Sequence, residues 1–130
     1  QLIILLNRTI LDDNRRNPSI DVQFDQNINE IVTYINQHLE SDLSVSHLAS
    51  IVFMSKYHLM RKFKAYTGYT IHQYIIQKRL MYAKALMAEG VRLTDVCQLA
   101  GFNDYSGFVR AFKKEFGISP REYLKVKKTV

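Results

Sequence analysis

Cysteine is nearly absent from this chain of 130 residues. Cys97 stands alone, which excludes a disulfide framework and makes a reducing compartment the expected setting. Proline and glycine are scarce, at two and five, and no segment is of low complexity, so a long disordered stretch is not expected. Long hydrophobic runs are missing too. The early run Leu2 to Leu6 is far short of the ~20 apolar residues that cross a bilayer, and it lacks the basic start and cleavage site of a signal peptide. There is no glycine-rich phosphate loop followed by Lys-Ser or Lys-Thr, no carboxylate pair and no nucleophile motif, so nothing supports an enzyme. His38, His47, His58 and His72 are not at metal-ligand spacing, and capping or surface roles are expected of them, with no metal and no cofactor. Cys97, between Val96 and Ala100, reads as a small buried apolar group rather than a reactive thiol.

What the chain has is positive charge in one block. Residues 1–42 hold three Arg against seven Asp or Glu, a net −4; residues 43–130 hold fifteen Lys or Arg against five Asp or Glu, a net +10. A basic block of that size points to a polyanion, either nucleic acid or an anionic membrane surface. The first residue is Gln rather than Met and opens straight into an apolar run, which is expected to mark a cut inside a longer protein.

Hydrophobic periodicity makes this an all-α chain. Leu2, Ile3, Leu5, Leu6, Ile10 and Leu11 form one broad helical stripe over residues 1–13, too apolar to stand alone, so it needs a partner, either a missing domain or a second chain. Residues 14–26, with Pro18 and a polar cluster, read as a linker, and Asn27 with Glu30 as the cap of the next helix. The domain proper is expected over residues 27–130. Ser44, Ser55, Thr94, Asp104 and Ser119 read as helix starts, Thr70 with Gln73 as a capping box, and Gly68 and Gly117 as left-handed stops. Pro120 takes the first position of the last helix, over 119–128.

The most informative feature is a repeat. "SKYHLMRKFKAYTG" (Ser55 to Gly68) returns as "DYSGFVRAFKKEFG" (Asp104 to Gly117) with an offset of 49. Arg61 matches Arg110, Phe63 matches Phe112, Lys64 matches Lys113, and Tyr74 matches Tyr123. Upstream, "LSVSHLA" (Leu43 to Ala49) answers "LTDVCQLA" (Leu93 to Ala100) more loosely, with two extra residues expected in the first copy's turn. Each copy is a short helix, a turn and a longer helix, over about 44–68 and 94–117. At ~100° per residue, Leu59, Phe63 and Tyr66 share a core face while Tyr57, Arg61 and Lys64 face away, with Met60 at the shoulder. In the second copy Phe108 and Phe112 are core; Ser106, Arg110 and Lys113 face out, with Val109 at the shoulder. Such a face suits a DNA major groove: Arg bonds guanine bidentately, apolar groups meet thymine methyls and Lys neutralises phosphate. The helix expected over 70–89 would span ~30 Å, near the ~34 Å of one DNA turn, so two such faces could enter successive major grooves.

These residues resemble the AraC-type bacterial transcription regulators. The resemblance covers roughly Ile28 to Lys127 and rests on "LASIVFMSKYHLMRKFKAYTG", "TIHQYIIQKRLMYAKALMAEG" and above all "DVCQLAGFNDYSGFVRAFKKEFGISPREY". It implies two helix-turn-helix units joined by a long central helix, sequence-specific binding of double-stranded DNA, an activator that contacts RNA polymerase, and a cytoplasmic setting. It also implies an upstream sensor and dimerisation domain that binds the effector ligand, with Gln1 to Asp13 as its last helix and homodimerisation through it. Its base-contacting places fall on Tyr57, Met60, Arg61, Tyr105, Ser106, Val109 and Arg110; Ser55, Lys56, Lys64, Lys113 and Lys114 are phosphate candidates. Gly107 stands where a larger side chain is usual and Leu124 where a basic one is, which implies weaker binding by the second unit. The rival reading is a basic helical module for an anionic membrane surface or an acidic protein partner.

Overall fold

Among the described residues, short polar side chains cap the start of five helices and a left-handed residue follows the end of five. The computed structural model describes residues 18–129, with side chains over 26–127. Among the described residues there are seven helices and no strand: α1 (Pro18–Gln37), α2 (Val45–Ile51), α3 (Lys56–Thr67), α4 (Ile71–Ala88), α5 (Leu93–Leu99), α6 (Tyr105–Phe116) and α7 (Pro120–Thr129). The all-α expectation with two helix-turn-helix units holds. The apolar helix expected over residues 1–13, and residues 14–17 of the expected linker, lie outside the described residues.

The caps at Ser44, Ser55, Thr70, Asp104 and Ser119 fall where the sequence places them. Ser44 Oγ accepts from His47 N (3.2 Å) and Ser55 Oγ from His58 N (3.1 Å). Thr70 and Gln73 close a reciprocal capping box, each side chain bonding the other's backbone N–H at 3.0 Å. Ser119 and Glu122 close a second box, at 3.1 and 3.2 Å. The Ser119 backbone N–H first, and the Ser119 side chain second, hold the Glu122 carboxyl below its ordinary range.

Four expectations are corrected. The linker read over residues 14–26 is helical from Pro18 onward, and Asn27 lies inside α1 instead of capping it. Pro18 has the fixed φ that suits a first helical position, and no Gly or Pro interrupts the chain from there to Gln37. The second short helix starts at Leu93, not Thr94: Arg92 is the N-cap and makes no side-chain cap bond. Instead Arg92 pairs with Asp95 at 3.1 Å, an exposed i,i+3 ion pair. The central helix runs Ile71–Ala88, one residue inside each end of the expected 70–89. The fourth correction concerns the turns. α2 ends at Ile51 and α5 at Leu99, so the turns are 52–55 and 100–104, and the second copy, not the first, is longer. Burial aligns the short helices at an offset of 48: Leu48 with Val96, Ala49 with Cys97, Val52 with Ala100, all buried. Matching the two "LA" pairs by identity had misplaced them.

At that register both short helices end in the same motif. Met54 N bonds Ala49 O (3.0 Å) and Phe53 N bonds Ser50 O (3.4 Å); Phe102 N bonds Cys97 O (3.0 Å) and Gly101 N bonds Gln98 O (3.1 Å). This paired ending requires a left-handed residue one past the C-cap. Gly101 takes it at φ +99 without strain; Phe53 takes it at φ +55. A side chain in that conformation costs ~1–2 kcal/mol.

The described residues form two units, 18–38 with 43–74, and 39–42 with 75–129. In the first, α3 packs against α1 and α2. Its core holds Ile28, Ile31 and Ile35 of α1, Leu48 of α2, and Leu59, Phe63 and Tyr66 of α3, with the Phe63 ring edge-on to Tyr74. Thr67 is fully buried; its hydroxyl donates to Phe63 O (2.8 Å) and accepts from Tyr69 N (3.1 Å). On the surface of this unit Tyr34 stacks on His38 (3.9 Å between centroids) and its hydroxyl lies 2.9 Å from His47 Nε2.

In the second unit Phe112 is the hub, with the rings of Phe108, Phe116 and Tyr123 around it at 5.9, 4.6 and 5.7 Å. Leu80, Ala83, Val96 and Ala100 complete the floor. Cys97 is buried there as expected, and burial raises its thiol pKa, with Asp104's charge adding to the effect. The segment 39–42 is clamped on by Arg79, whose Nε donates to Leu39 O (2.9 Å) and whose Nη2 donates to Ser41 O (2.8 Å). Burial holds this guanidinium below its ordinary pKa, against the pull of Asp42.

Candidate nucleic-acid interface

In the first unit, burying Leu59, Phe63 and Tyr66 turns the other side of α3 to solvent. Lys56, Tyr57, Met60, Arg61 and Lys64 are all exposed, Tyr57 to 64% and Met60 to 46%, high values for side chains of this size. Lys56 Nζ sits 5.3 Å from the Tyr57 ring centroid, a weak cation–π contact that fixes the aromatic beside a cation. Among the described residues neither Arg61 nor Lys64 has a hydrogen-bond or ion-pair partner. Ser55 spends its acceptor on the cap, which leaves its hydroxyl proton free for an outside acceptor. Residues 43–74 carry Lys56, Arg61, Lys62 and Lys64 and no carboxylate, so the field of this segment is uniformly positive.

In the second unit α6 repeats the plan with differences. Ser106, Arg110, Lys113 and Lys114 are exposed. Val109 and Tyr105 are half-buried, and the Tyr105 ring packs against Phe108 at 6.1 Å, so it serves the core as well as the face. Gly107 N donates to Asp104 Oδ1 at 2.6 Å; a Cβ on Gly107 would stand 3.1 Å from that oxygen and 3.9 Å from Arg110 Nη2. The glycine thus gives up helix propensity and keeps the cap uncrowded. Leu124 packs against the core of this unit, which explains an apolar residue where a basic one was expected.

The matched Arg and Lys of the two copies therefore point to solvent in both units, each on a helix held by a capped N-terminus and a left-handed glycine. The helix-turn-helix domain family matches residues 48–126. A solved AraC-type DNA-binding domain protein from Chromobacterium violaceum is 27% identical, with a TM-score of 0.69 over 75% of this chain and 88% of that one. This chain is an AraC-type helix-turn-helix DNA-binding domain. The DNA-binding domain of the transcriptional factor AdpA, solved with a target DNA, is 25% identical to the AraC-type domain, with a TM-score of 0.75 over 78% of this chain and 93% of that one. The probable transcriptional regulator LumQ of Photobacterium leiognathi is 43% identical over 94 residues, 72% of this chain and 38% of LumQ. The transcriptional activator RhaS of an Enterobacter strain is 30% identical over 123 residues, 94% of this chain and 42% of RhaS. The chain thus spans about two fifths of the length of these relatives.

Phe53 escaped the sequence reading. It is 95% exposed, the most exposed of the large hydrophobic side chains described, and the signal that would have found it is its pairing with Gly101 at an offset of 48. Among the described residues no helix is long and apolar enough to cross a membrane, and no group of three or more His, Cys, Asp or Glu could hold a metal.

Proposed function

We propose that this domain reads double-stranded DNA with α3 and α6 lying in successive major grooves, as the DNA-binding part of a longer bacterial transcription regulator. One observation carries the reading: Arg61 with Lys64, and Arg110 with Lys113, recur at the same register on exposed faces whose opposite sides are core. A plain basic surface has no need of matched registers. Tyr57, Met60, Arg61, Tyr105, Ser106, Val109 and Arg110 meet base edges, the two arginines bidentately at guanine. Ser55, Lys56, Lys64, Lys113 and Lys114 meet phosphates and set the register on the duplex. Of the base set, Tyr105 and Val109 have the least to offer, because part of each is committed to packing.

The 18 residues of α4 give a rod of ~27 Å. The AdpA domain was solved with DNA and RhaS is named an activator, which supports DNA as ligand and activation as output. Contact with RNA polymerase is the means of activation in this proposal. Effector binding and homodimerisation belong to the portion of such regulators that this chain does not match. Work on the chromosome places the protein in the cytoplasm, and its action is binding, not catalysis.

The test is selection of bound sequences from a random duplex library, for the chain itself and for Arg61→Ala and Arg110→Ala. Each substitution should cost ~1–3 kcal/mol on the best site and relax preference at one or two base pairs. The two relaxed positions should lie about one helical turn apart. Relaxation of the same base pairs by both, or of none by either, refutes two-groove reading; preference for anionic vesicles over duplex DNA refutes DNA as the ligand.

A further inference from the structure

Phe53 has two unfavourable properties at once. Its ring is 95% exposed, and its backbone sits at φ +55, a conformation that the equivalent Gly101 adopts freely. Neither property is needed by the fold. The helix ending is built from the backbone bonds of Met54 and Phe53, and any residue, glycine best of all, can supply them. The hydrophobic residue next to it, Met54, is half-buried, so the turn already has its apolar anchor. A strained residue with a ring that touches almost nothing of its own chain is a feature of functional sites.

Charge decides what the ring meets. The turn is two residues before the Ser55 cap and three before Lys56, in the segment 43–74 that has four cations and no carboxylate. An acidic or neutral surface would leave Phe53 open to many partners; a uniformly cationic one selects a polyanion. The exposed side chains that follow Phe53 in the sequence on α3, Tyr57 and Met60, are themselves large and mostly apolar. We propose that Phe53 is a further DNA contact of the first unit, its ring packing on the deoxyribose and base edge at the border of the groove that α3 enters. The proposal rests on the DNA-binding reading above. It adds an apolar contact at the turn, in a position where the second unit has a glycine and can make none.

The experiment uses the 130-residue chain, its best duplex from the random library, and two variants. Phe53→Gly removes the ring and the strain; Phe53→Ala removes the ring and keeps the strain. Phe53→Gly should melt several degrees higher than the parent yet bind the duplex about tenfold more weakly. Phe53→Ala should bind equally weakly without the gain in melting temperature. The slope of affinity against salt should be unchanged in both, because an apolar contact releases no counterions. Undiminished affinity in both variants overturns the proposal and leaves the ring facing something other than DNA. Loss with Phe53→Gly alone also overturns it, since turn flexibility and not the ring would then be the cause. The DNA-binding reading is judged separately, by the parent chain's own sequence preference.

Discussion

Gly101→Ala is the sharpest test of how the second unit is held together. Gly101 lies where the chain segment 39–42 presses closest: a Cβ there would stand 1.9 Å from Leu39 O, 2.9 Å from Leu39 C and 2.7 Å from Arg79 Nε. Carbon and oxygen approach to ~3.3 Å at closest without repulsion, so the Leu39 carbonyl must retreat by over ~1 Å. That breaks the 2.9 Å bond from Arg79 Nε to the same oxygen. A hydrogen bond to a charged group contributes ~1.5–3 kcal/mol, and alanine at positive φ adds ~1–2 kcal/mol of strain. The expected loss is ~3–5 kcal/mol, a large part of the ~5–15 kcal/mol that a domain has. Gly90→Ala is the control, because φ there is +86 with nothing within 4 Å of a Cβ, and it should cost the strain alone. Urea unfolding followed by circular dichroism measures both. Arg79→Ala should also destabilise, and the double variant with Gly101→Ala should lose less than the sum, since both changes release one carbonyl. If Gly101→Ala is no worse than Gly90→Ala, the close approach of segment 39–42 is wrong.

Two further outcomes follow from charge. On the proposed contacts, with Lys56, Lys64, Lys113 and Lys114 at phosphates, affinity should fall about 10²-fold between 50 and 200 mM salt, and Lys64→Ala should weaken all sequences alike and flatten the slope by about one unit; an affinity indifferent to salt refutes the electrostatic footprint. Glu122 has a folded pKa below its ordinary value, so its cap contributes at neutral pH, above the unfolded value of ~4.3, and is lost as pH falls through the lower folded value. The melting temperatures of the parent and Glu122→Gln should therefore differ most near neutrality and converge in acid, and a constant gap down to low pH would sink that account.

Much of the architecture was legible because it is written in local chemistry. Ser44, Ser55, Thr70 with Gln73, Asp104 and Ser119 cap within three residues of themselves, and a side chain that bonds its own turn needs no tertiary knowledge to be read. The faces of α3 and α6 followed from a 3.6-residue period. What stayed hidden is long-range. Arg79 reaches a carbonyl 40 residues back in the chain, and nothing in "QKRLMYA" distinguishes it from a solvated base. Gly101 follows a short helix in the sequence as any turn glycine would, but its close approach to Leu39 depends on that same distant segment. Thr67 is buried because its hydroxyl is satisfied twice within two turns of backbone, and composition alone puts threonine outside. The linker reading failed from Pro18 onward for a different reason: a proline that can break a helix can equally begin one, and only the residues after it decide.

The two copies explain each other best where they differ. Identity aligned them correctly over α3 and α6, where Arg, Phe and Lys coincide, but misaligned the short helices by following a repeated Leu-Ala. Burial and backbone bonds restore the register, and they do so through positions with little sequence likeness: Ala49 against Cys97, Val52 against Ala100. In that register the left-handed position is occupied once by the residue that suits it and once by the residue that suits it poorly. In the second unit the missing side chain is required, because Leu39 O fills the space. In the first unit the space is open, so glycine was permitted but phenylalanine is present, strained and bare. The same backbone motif thus separates a packing constraint from a bare surface, and the partner that fits a segment of four cations and no carboxylate is the duplex proposed for Arg61.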